Sequence, residues 1–381
     1  MKRAALSWQI QIVVGIVALL VIPFTLRGDG GPAHRVDQPF PLQLGTSGGN
    51  INDISKGFCF GGTLGALVQD ANGNQYILSN NHVLARTNRA AIGEDIIQPG
   101  LIDQSPTCAK DTNDAVADLS GFIPILFKTK RTIPINTVDA AIAQVRQGRV
   151  DPTGSILDIE VINGETLAPT LNLAVKKSGR TSGLTTGTIS AVNVTVDVSY
   201  GSGKTARFGN QILVTPGSFL AGGDSGSLMV ENVATAPRAV GLLFAGSSTV
   251  AVANRIQAVL DAFDVTMVGT TSSANLFNKM IAWARKLWRV SESQAASRVL
   301  IGEVDPAAVD AVTRVKERHK SRLLGVPGVV GVGVGLSERA FGQPVTEIYV
   351  KQATDGLRRI LPSSLEGVEV KIVETGEIFA Y

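Results

Sequence analysis

The chain has 381 residues and a formal net charge of +3, so it is long enough for two or three domains. That charge is too small to indicate a nucleic-acid partner. Hydrophobic residues make up 44%, there are 41 glycines and only 5% are aromatic, which favours many short strands joined by glycine turns. The sequence shows no phosphate loop, zinc cluster or dinucleotide fingerprint, so it predicts no metal and no cofactor.

The N-terminal segment, residues 1–27, is predicted to be a membrane anchor or a signal. Lys2 and Arg3 precede an apolar run from Ile12 to Leu26. A spanning helix needs roughly 17–25 mostly apolar residues, and no small-residue cleavage site follows the run, which favours an uncleaved anchor over a cleaved signal or a buried helix. In that orientation the rest of the chain is extracytoplasmic, either membrane-anchored or, if the segment is cleaved, secreted.

Residues 28–56 and two cysteines follow. Gly, Ser, Asn and Pro are scattered through 28–56, which predicts a tether and a first strand. The two cysteines of the chain are Cys59 and Cys108. An exported protein can pair them in an oxidising compartment, and two buried free thiols are the alternative, because the sequence gives no distance between them.

Residues 57–268 show short apolar segments with a period of two, and their connections are rich in Gly, Thr, Ser and Pro. The predicted strands are Leu64–Val68, Tyr76–Ser79, Val138–Val145, Leu173–Lys177, Thr186–Val198, Gln211–Val214, Ser227–Val230 and Ala239–Phe244. Helical spacing is found in this region at Val252–Phe263. Strands in series without alternating helices favour an antiparallel sandwich or barrel over a parallel sheet.

Three side chains in this region suggest nucleophilic catalysis. Of the histidines His34, His82 and His319, His82 stands at the end of an apolar strand, in ILSNNHVL. Asp139 leads into another apolar strand, where a carboxylate needs hydrogen-bond donors such as a histidine N–H. Ser225 lies in the turn GGDSGS. A serine hydroxyl needs a base to become a nucleophile, and the base needs an orienting acid, so these three form a candidate triad.

The order His, Asp, Ser and the GDSG turn resemble the trypsin-like (chymotrypsin-fold) serine proteases. The linked motifs GTLGALV, ILSNNHVLA, VDAAIA, KKSGRTSGLTTGTIS, GGDSGSL and GLLFAGSS are similar to a group of bacterial trypsin-like proteins related to the plant Narrow Leaf protein. The resemblance implies a mainly β fold with two antiparallel six-stranded barrels. It implies His82 as general base, Asp139 as orienting acid and Ser225 as nucleophile, with the amides of Gly223 and Ser225 as the oxyanion hole.

The same resemblance locates a primary specificity pocket. The residue six before the serine, at the base of the pocket, is Phe219. An aromatic side chain there cannot select Lys or Arg, so we expect an apolar or small residue before the cut bond (P1). The residues expected to line the pocket are Phe219, Leu220, Phe244, Ala245 and Gly246.

The chain departs from the digestive members of this family in two ways. Those enzymes carry a cysteine after the catalytic histidine, where this chain has Val83, so a Cys59–Cys108 bridge would belong to this group alone. Residues 28–56 contain no Ile-Val-Gly-Gly type start. We therefore expect a site that assembles without activation cleavage, with Lys or Arg from a loop, or backbone amides, pairing with Asp224.

The C-terminal third reads as a linker and an accessory domain. Residues 269–304 contain a basic amphipathic segment, Ala274–Val290, which either packs on the barrel, the favoured interpretation, or lies on an anionic membrane surface. Residues 305–381 predict a helix from Pro306 to about Leu324, two strands, a helical turn and a last strand. This order indicates a small α+β domain, which we interpret as a regulatory or substrate-presenting module.

The sequence thus predicts an exported serine endopeptidase that acts on a peptide or protein through an acyl-enzyme, without a cofactor and without a nucleic-acid partner. One alternative is a catalytically silent scaffold whose barrel binds peptides. An esterase that uses the same triad is another.

Overall fold

The structure is a computed structural model that describes residues 33–55, 57–270 and 304–381. The predicted anchor at 1–27 and the basic amphipathic segment at 274–290 lie outside the described residues. Within the described ranges, no helix combines the length and the apolar character that crossing a membrane requires.

Strands dominate the described chain. The strands are β1 (Thr46–Asn50), β2 (Ile54–Ser55), β3 (Phe58–Cys59), β4 (Gly62–Leu64), β5 (Ala66–Gln69), β6 (Gln75–Ser79), β7 (Asp95–Ile97), β8 (Ala115–Phe122), β9 (Ile135–Asn136), β10 (Ala141–Val145), β11 (Asn163–Thr166), β12 (Ala174–Gly179), β13 (Gly183–Ser199), β14 (Thr205–Thr215), β15 (Leu228–Glu231), β16 (Arg238–Gly246), β17 (Ala251–Arg255), β18 (Thr266–Met267), β19 (Val329–Leu336), β20 (Pro344–Val350), β21 (Ser364–Leu365), β22 (Val368–Glu374) and β23 (Phe379–Ala380). The helices are α1 (Asn81–Leu84), α2 (Ile256–Phe263), α3 (Pro306–Leu323) and α4 (Asp355–Ile360).

The first sheet closes into a barrel. Its antiparallel pairings run β5–β6–β10–β8–β7–β1–β4, with β18 added on the outer edge of β5. Because Gly65 alone separates β4 from β5, these two segments act as one bent strand, and the barrel has six strands. Strand β1 lies within residues 28–56, for which the sequence predicted a tether and a first strand, and it is part of the barrel.

The second sheet also closes on itself. Strands β13, β12, β15, β16, β17 and β14 pair in that order, all antiparallel, and β14 pairs back to β13. This circuit is a second six-stranded barrel. The mainly β, two-barrel architecture expected from the sequence therefore agrees with the structure.

The helix predicted at Val252–Phe263 begins later than expected. The first part of that segment belongs to β17, and α2 starts at Ile256. In β17, Ala251 and Ala253 are buried in one apolar cluster and Val252 in another, so its side chains alternate between two faces. Two buried faces give a continuous apolar run, which hides the strand period.

The C-terminal residues extend the second barrel. Strand β19 pairs antiparallel with β13, and β20, β22 and β21 follow outward in the same sheet. Helix α3 begins with the predicted cap, since the side chain of Asp305 accepts the amide of Ala307 at 2.9 Å. The buried ammonium of Lys316 on α3 donates to the carbonyl of Asn193 on β13, which ties the helix to the barrel.

A disulfide joins Cys59 and Cys108, with their Cα atoms 5.6 Å apart. The bridge ties β3 to the loop that follows a short helical turn at Leu101–Asp103. Ile51, Ile97 and Leu101 pack around it in a small apolar cluster. The sequence had left open whether these cysteines are bonded.

Replacing Cys59 with serine is expected to lower the free energy of unfolding by about 4 kcal/mol, because the bridge spans 49 residues and restricts the unfolded chain. Urea denaturation under non-reducing conditions measures this. Cys108→Ser should cost the same amount, and the double variant should cost no more than either single one. Additive losses would show that the cysteines act separately.

Candidate active site

His82 and Asp139 meet at the ends of neighbouring strands. Strands β6 and β10 pair antiparallel with Ser79 opposite Ala141, which brings the residues beyond these positions together. His82 Nδ1 lies 2.6 Å from Asp139 Oδ2, and the backbone amide of His82 donates to Oδ1 at 3.3 Å. Asp139 is fully buried. The carboxylate therefore accepts the Nδ1 proton and orients the imidazole, so that Nε2 is the ring nitrogen that faces away from Asp139.

Further side chains hold Asp139, and the sequence analysis missed them. The hydroxyl of Tyr200 donates to Oδ2 at 2.7 Å. Asn254 accepts the backbone amide of Asp139 at 3.1 Å, and Asn80 donates to its carbonyl at 2.8 Å. Tyr200 follows β13 in SYGSGK, which reads only as a turn, so no local signal marked it. Tyr200 is thus a second side-chain donor to the buried carboxylate besides His82, and the two asparagines hold the backbone of Asp139.

The surroundings of His82 act on its pKa in opposite directions. Burial lowers the pKa of His82, but the charge of Asp139 and its hydrogen bond outweigh burial, and the net pKa is raised. Burial, and then the neighbouring Asp139, raise the pKa of Tyr200 well above its ordinary value. Tyr200 therefore stays protonated and remains a donor to the carboxylate.

Ser225 lies in a tight turn just before β15. The amide of Asp224 donates to Ala221 O at 2.9 Å, and Gly223 and Gly226 both have φ of +94°. A Cβ on Gly226 would lie 2.1 Å from Ser79 Oγ, so the turn requires glycine there. Gly223 and Gly226 therefore allow the backbone to close around the serine.

The turn that carries Ser225 belongs to the second barrel and packs against the first barrel. The amide of Thr63, on β4, donates to Ser225 O at 2.8 Å, and its hydroxyl donates to Gly223 O at 3.0 Å. Ser79, three residues before His82, donates to Thr63 O at 2.7 Å. These bonds fix the serine turn beside the strand that carries the histidine.

The hydroxyl of Ser225 and the imidazole of His82 have separate partners in the described part of the chain. Ser225 Oγ donates to Phe244 O at 3.1 Å, and His82 Nε2 lies 2.9 Å from Tyr381 O. Ser225 has no solvent-exposed surface. Its own amide and that of Gly223 donate to no described acceptor, so both remain available to a developing oxyanion.

Asp224, beside the serine, has an unusually complete set of donors. Its Oδ1 accepts the amides of Thr181 at 2.7 Å and Ser182 at 3.1 Å. Its Oδ2 accepts the amide of Ala221, the hydroxyl of Ser182, and Lys177 Nζ at 3.1 Å. Lys177 and Asp224 are both fully buried. A lysine on strand β12, together with backbone amides, thus supplies the partner that the sequence left open.

The expected pocket residues separate into two groups. Phe219 and Leu220 are buried in one apolar cluster, and Tyr381 packs against that cluster. A Cβ on Gly246 would lie 3.0 Å from the ring of Tyr381. The ring of Phe244 lies 4.8 Å from the ring of Phe208 inside the barrel, where burial of an aromatic ring is favourable. Only the backbone carbonyl of Phe244 reaches the site, whereas the sequence had predicted that its side chain lines the pocket.

A cavity of about 370 Å³ opens beside His82. Its walls include Phe60, Gly61, Tyr200 and Tyr381. Across the described ranges, no cluster of three or more His, Cys, Asp or Glu side chains is placed to hold a metal ion.

No protein-family model matches the chain, and no curated protein matches it. It is similar to a glutamic-acid-specific serine protease reported to use a histidine triad in substrate binding, with 22% identity, 59% of this chain and 100% of that chain covered, and a TM-score of 0.41. The corresponding values are 15%, 55%, 93% and 0.37 for Thermobifida fusca Protease A, and 18%, 55%, 91% and 0.35 for Cellulomonas bogoriensis chymotrypsin. These neighbours are trypsin-like serine proteases of the chymotrypsin fold. The narrower likeness to the Narrow Leaf-related group stays a prediction.

Proposed function

We propose that the chain is a serine endopeptidase. The observation that carries the proposal is the buried hydrogen bond between His82 and Asp139, which orients the imidazole at the seam where the Ser225 turn docks, with Nε2 2.9 Å from the backbone oxygen of Tyr381. A buried carboxylate that fixes the imidazole tautomer is what a general base requires. The unengaged amides of Gly223 and Ser225 supply the donors for the transition state.

The proposed reaction has two halves. Ser225 Oγ turns from the carbonyl of Phe244 to His82, loses its proton to Nε2 and attacks the substrate carbonyl, while Asp139 stabilises the imidazolium. His82 then gives the proton to the leaving amine, and an acyl-enzyme remains. In the second half His82 takes a proton from water, the hydroxide attacks the ester, and the proton returns to Ser225.

The setting of Asp224 supports assembly of this site without activation cleavage. Lys177 already donates to Asp224, so the buried carboxylate does not need a new N-terminal amine. An obligatory N-terminal trim before Ser225 reacts with a fluorophosphonate would contradict this.

Covalent labelling tests the function itself. The full chain is incubated with a fluorophosphonate, and mass spectrometry locates the adduct. We expect it on Ser225, absent from Ser225→Ala, and retained in Ser218→Ala, which removes an exposed hydroxyl nearby. If a folded chain with an open cleft forms no adduct, the result favours the peptide-binding scaffold. Turnover of esters without turnover of matched peptides favours the esterase.

We also propose a substrate preference and a location for the protein. The apolar side chains of Phe219 and Leu220 near the cleft support an apolar or small P1 residue, and a cleavage profile dominated by Arg would contradict it. The Cys59–Cys108 bridge supports an oxidising compartment, with the protein membrane-anchored or secreted.

A further inference from the structure

Residues 379–381 lie in the cleft like a bound peptide. Strand β23 pairs antiparallel with β16, with Phe379 opposite Gly246 and Ala380 opposite Ala245. The backbone oxygen of the next residue, Tyr381, lies 2.9 Å from His82 Nε2, which donates to it. The backbone of this segment therefore reaches the candidate general base.

This register assigns each residue a substrate position. The pairing with β16 and the position of the Tyr381 backbone beside the base put Tyr381 at P1, Ala380 at P2 and Phe379 at P3. The ring of Tyr381 packs against the cluster that contains Leu220, beside Gly246 and about 4.0 Å from a Cβ built on Gly222. Since the two flanking residues are glycines, the backbone leaves room for an aromatic ring.

The strand is anchored upstream of the cleft. Ile378 is fully buried among the aromatic residues of the second barrel, and its carbonyl accepts the amide of Ser199 at 2.8 Å. Gly376, with φ of +73°, turns the chain from β22 into this segment. Because β22 is fixed in the extended sheet, the C-terminal unit delivers residues 378–381 to the cleft.

We infer that residues 378–381 are a built-in competitor for the substrate, and that they identify the preferred substrate as a peptide with tyrosine or a similar aromatic at P1 and a small residue at P2. The inference rests on the proposed protease function and names both its regulation and its substrate class. Two observations on the nucleophilic side agree with it. Ser225 is fully buried, and its hydroxyl points to Phe244 O instead of His82.

The segment blocks only part of the cleft. The cavity of about 370 Å³ beside His82 and Tyr381 remains open, so the strand fills one side of the cleft only. A segment tethered next to its own site has an effective concentration in the millimolar range. Even a weakly binding tetrapeptide is then bound most of the time, and any substrate must displace it.

Deleting residues 379–381 tests the inference. The deletion keeps Ile378 in the core and removes only the strand in the cleft. We expect Ser225 to react with a fluorophosphonate at least about ten times faster, which corresponds to a site that is open about one tenth of the time in the full chain. Phe341→Ala removes another exposed aromatic ring, outside the cleft, and should leave the rate unchanged.

Thermal unfolding is recorded for each variant to show that it is folded. If the shortened chain shows no cooperative unfolding transition, the variant Tyr381→Gly replaces it in the labelling experiment. Equal labelling of the full and shortened chains overturns the inference and leaves the protease proposal intact. No labelling of either folded chain overturns both.

Peptides added in trans test the substrate class on the shortened chain. Acetyl-Ile-Phe-Ala-Tyr should slow labelling in a competitive manner, and the reversed sequence Tyr-Ala-Phe-Ile should not. Among peptide amides that share Ile-Phe-Ala, the one with Tyr at P1 should be cut at least about ten times faster than those with Arg or Glu, a difference of about 1.4 kcal/mol in barrier. Equal inhibition by both peptides, or a preference for Arg or Glu, overturns the assignment of Tyr381 to P1.

Discussion

Asp139→Asn is expected to lower kcat by about four orders of magnitude while the fold is retained. A comparable loss accompanies this exchange in the well-studied serine-protease triad. Here the reason is the 2.6 Å contact between Asp139 Oδ2 and His82 Nδ1. An asparagine that offers its amide group to Nδ1 places the imidazole proton on Nε2, and a protonated Nε2 cannot accept the proton of Ser225.

The same variant changes the pH dependence in a defined direction. In the proposed mechanism His82 must be neutral to act as a base, so activity is expected to rise as the pH passes the pKa of His82. Asp139 raises that pKa by its charge and its hydrogen bond, against the effect of burial. Without the carboxylate the pKa falls, and the rising limb of kcat/KM should move to lower pH while the plateau drops.

Both effects are measured on chains that lack residues 379–381, so that the cleft is open in each. Asp264→Asn is the matched control, because Asp264 is exposed and adopts a left-handed conformation that asparagine also tolerates. Tyr200→Phe should cost about tenfold, since it removes one donor to the carboxylate and keeps the ring. An Asp139→Asn chain with the original plateau would exclude Asp139 from the triad.

The contrast between these residues shows what the sequence was able to predict. His82, Asp139 and Ser225 each end or begin an apolar strand, so local patterning marked them. Tyr200 and Tyr381 carry no such mark. Tyr200 reaches Asp139 across 61 positions of the chain, and Tyr381 reaches His82 across 299. Their roles come from how the sheet folds back on itself, which no local period records.

In the fold, too, elements with local sequence signals were predicted and long-range pairings were not. Helix α3 was predicted almost to the residue, because it has a cap at Asp305 and is followed by Gly325. Strand β17 was predicted as helix because both of its faces are buried, which removes the alternation that identifies a strand. The join between β19 and β13 depends on a long-range pairing and was not predicted.

Lys177→Met is expected to destabilise the protein by about 3–5 kcal/mol, because it leaves the buried carboxylate of Asp224 without its cation. Burial raises the pKa of Asp224, but Lys177 and the surrounding donors outweigh it and hold the pKa below its ordinary value. Without the ammonium this balance is lost, and the turn that carries Gly223 and Ser225 loses a fixed point.

The loss of activity should exceed what unfolding explains. The amides of Gly223 and Ser225 flank Asp224, so a shift of its side chain is expected to misalign these proposed donors of the oxyanion hole. Loss of one such donor costs about 10²–10³ in kcat. At a temperature where the variant is folded, we therefore expect kcat to fall by at least about a hundredfold, with the rate of Ser225 labelling reduced in parallel.

Two comparisons separate charge from packing. Lys176→Met changes the neighbouring lysine on β12, whose ammonium donates to Val233 O and contacts nothing near the serine, so its activity should match that of the original chain. The double variant Lys177→Met, Asp224→Leu replaces the ion pair with apolar groups and should regain stability without regaining activity. If the double variant is as active as the original chain, the pair only stabilises the fold. If Lys177→Met alone is fully active, the site does not depend on this lysine, and the backbone amides of Thr181 and Ser182 suffice to hold Asp224.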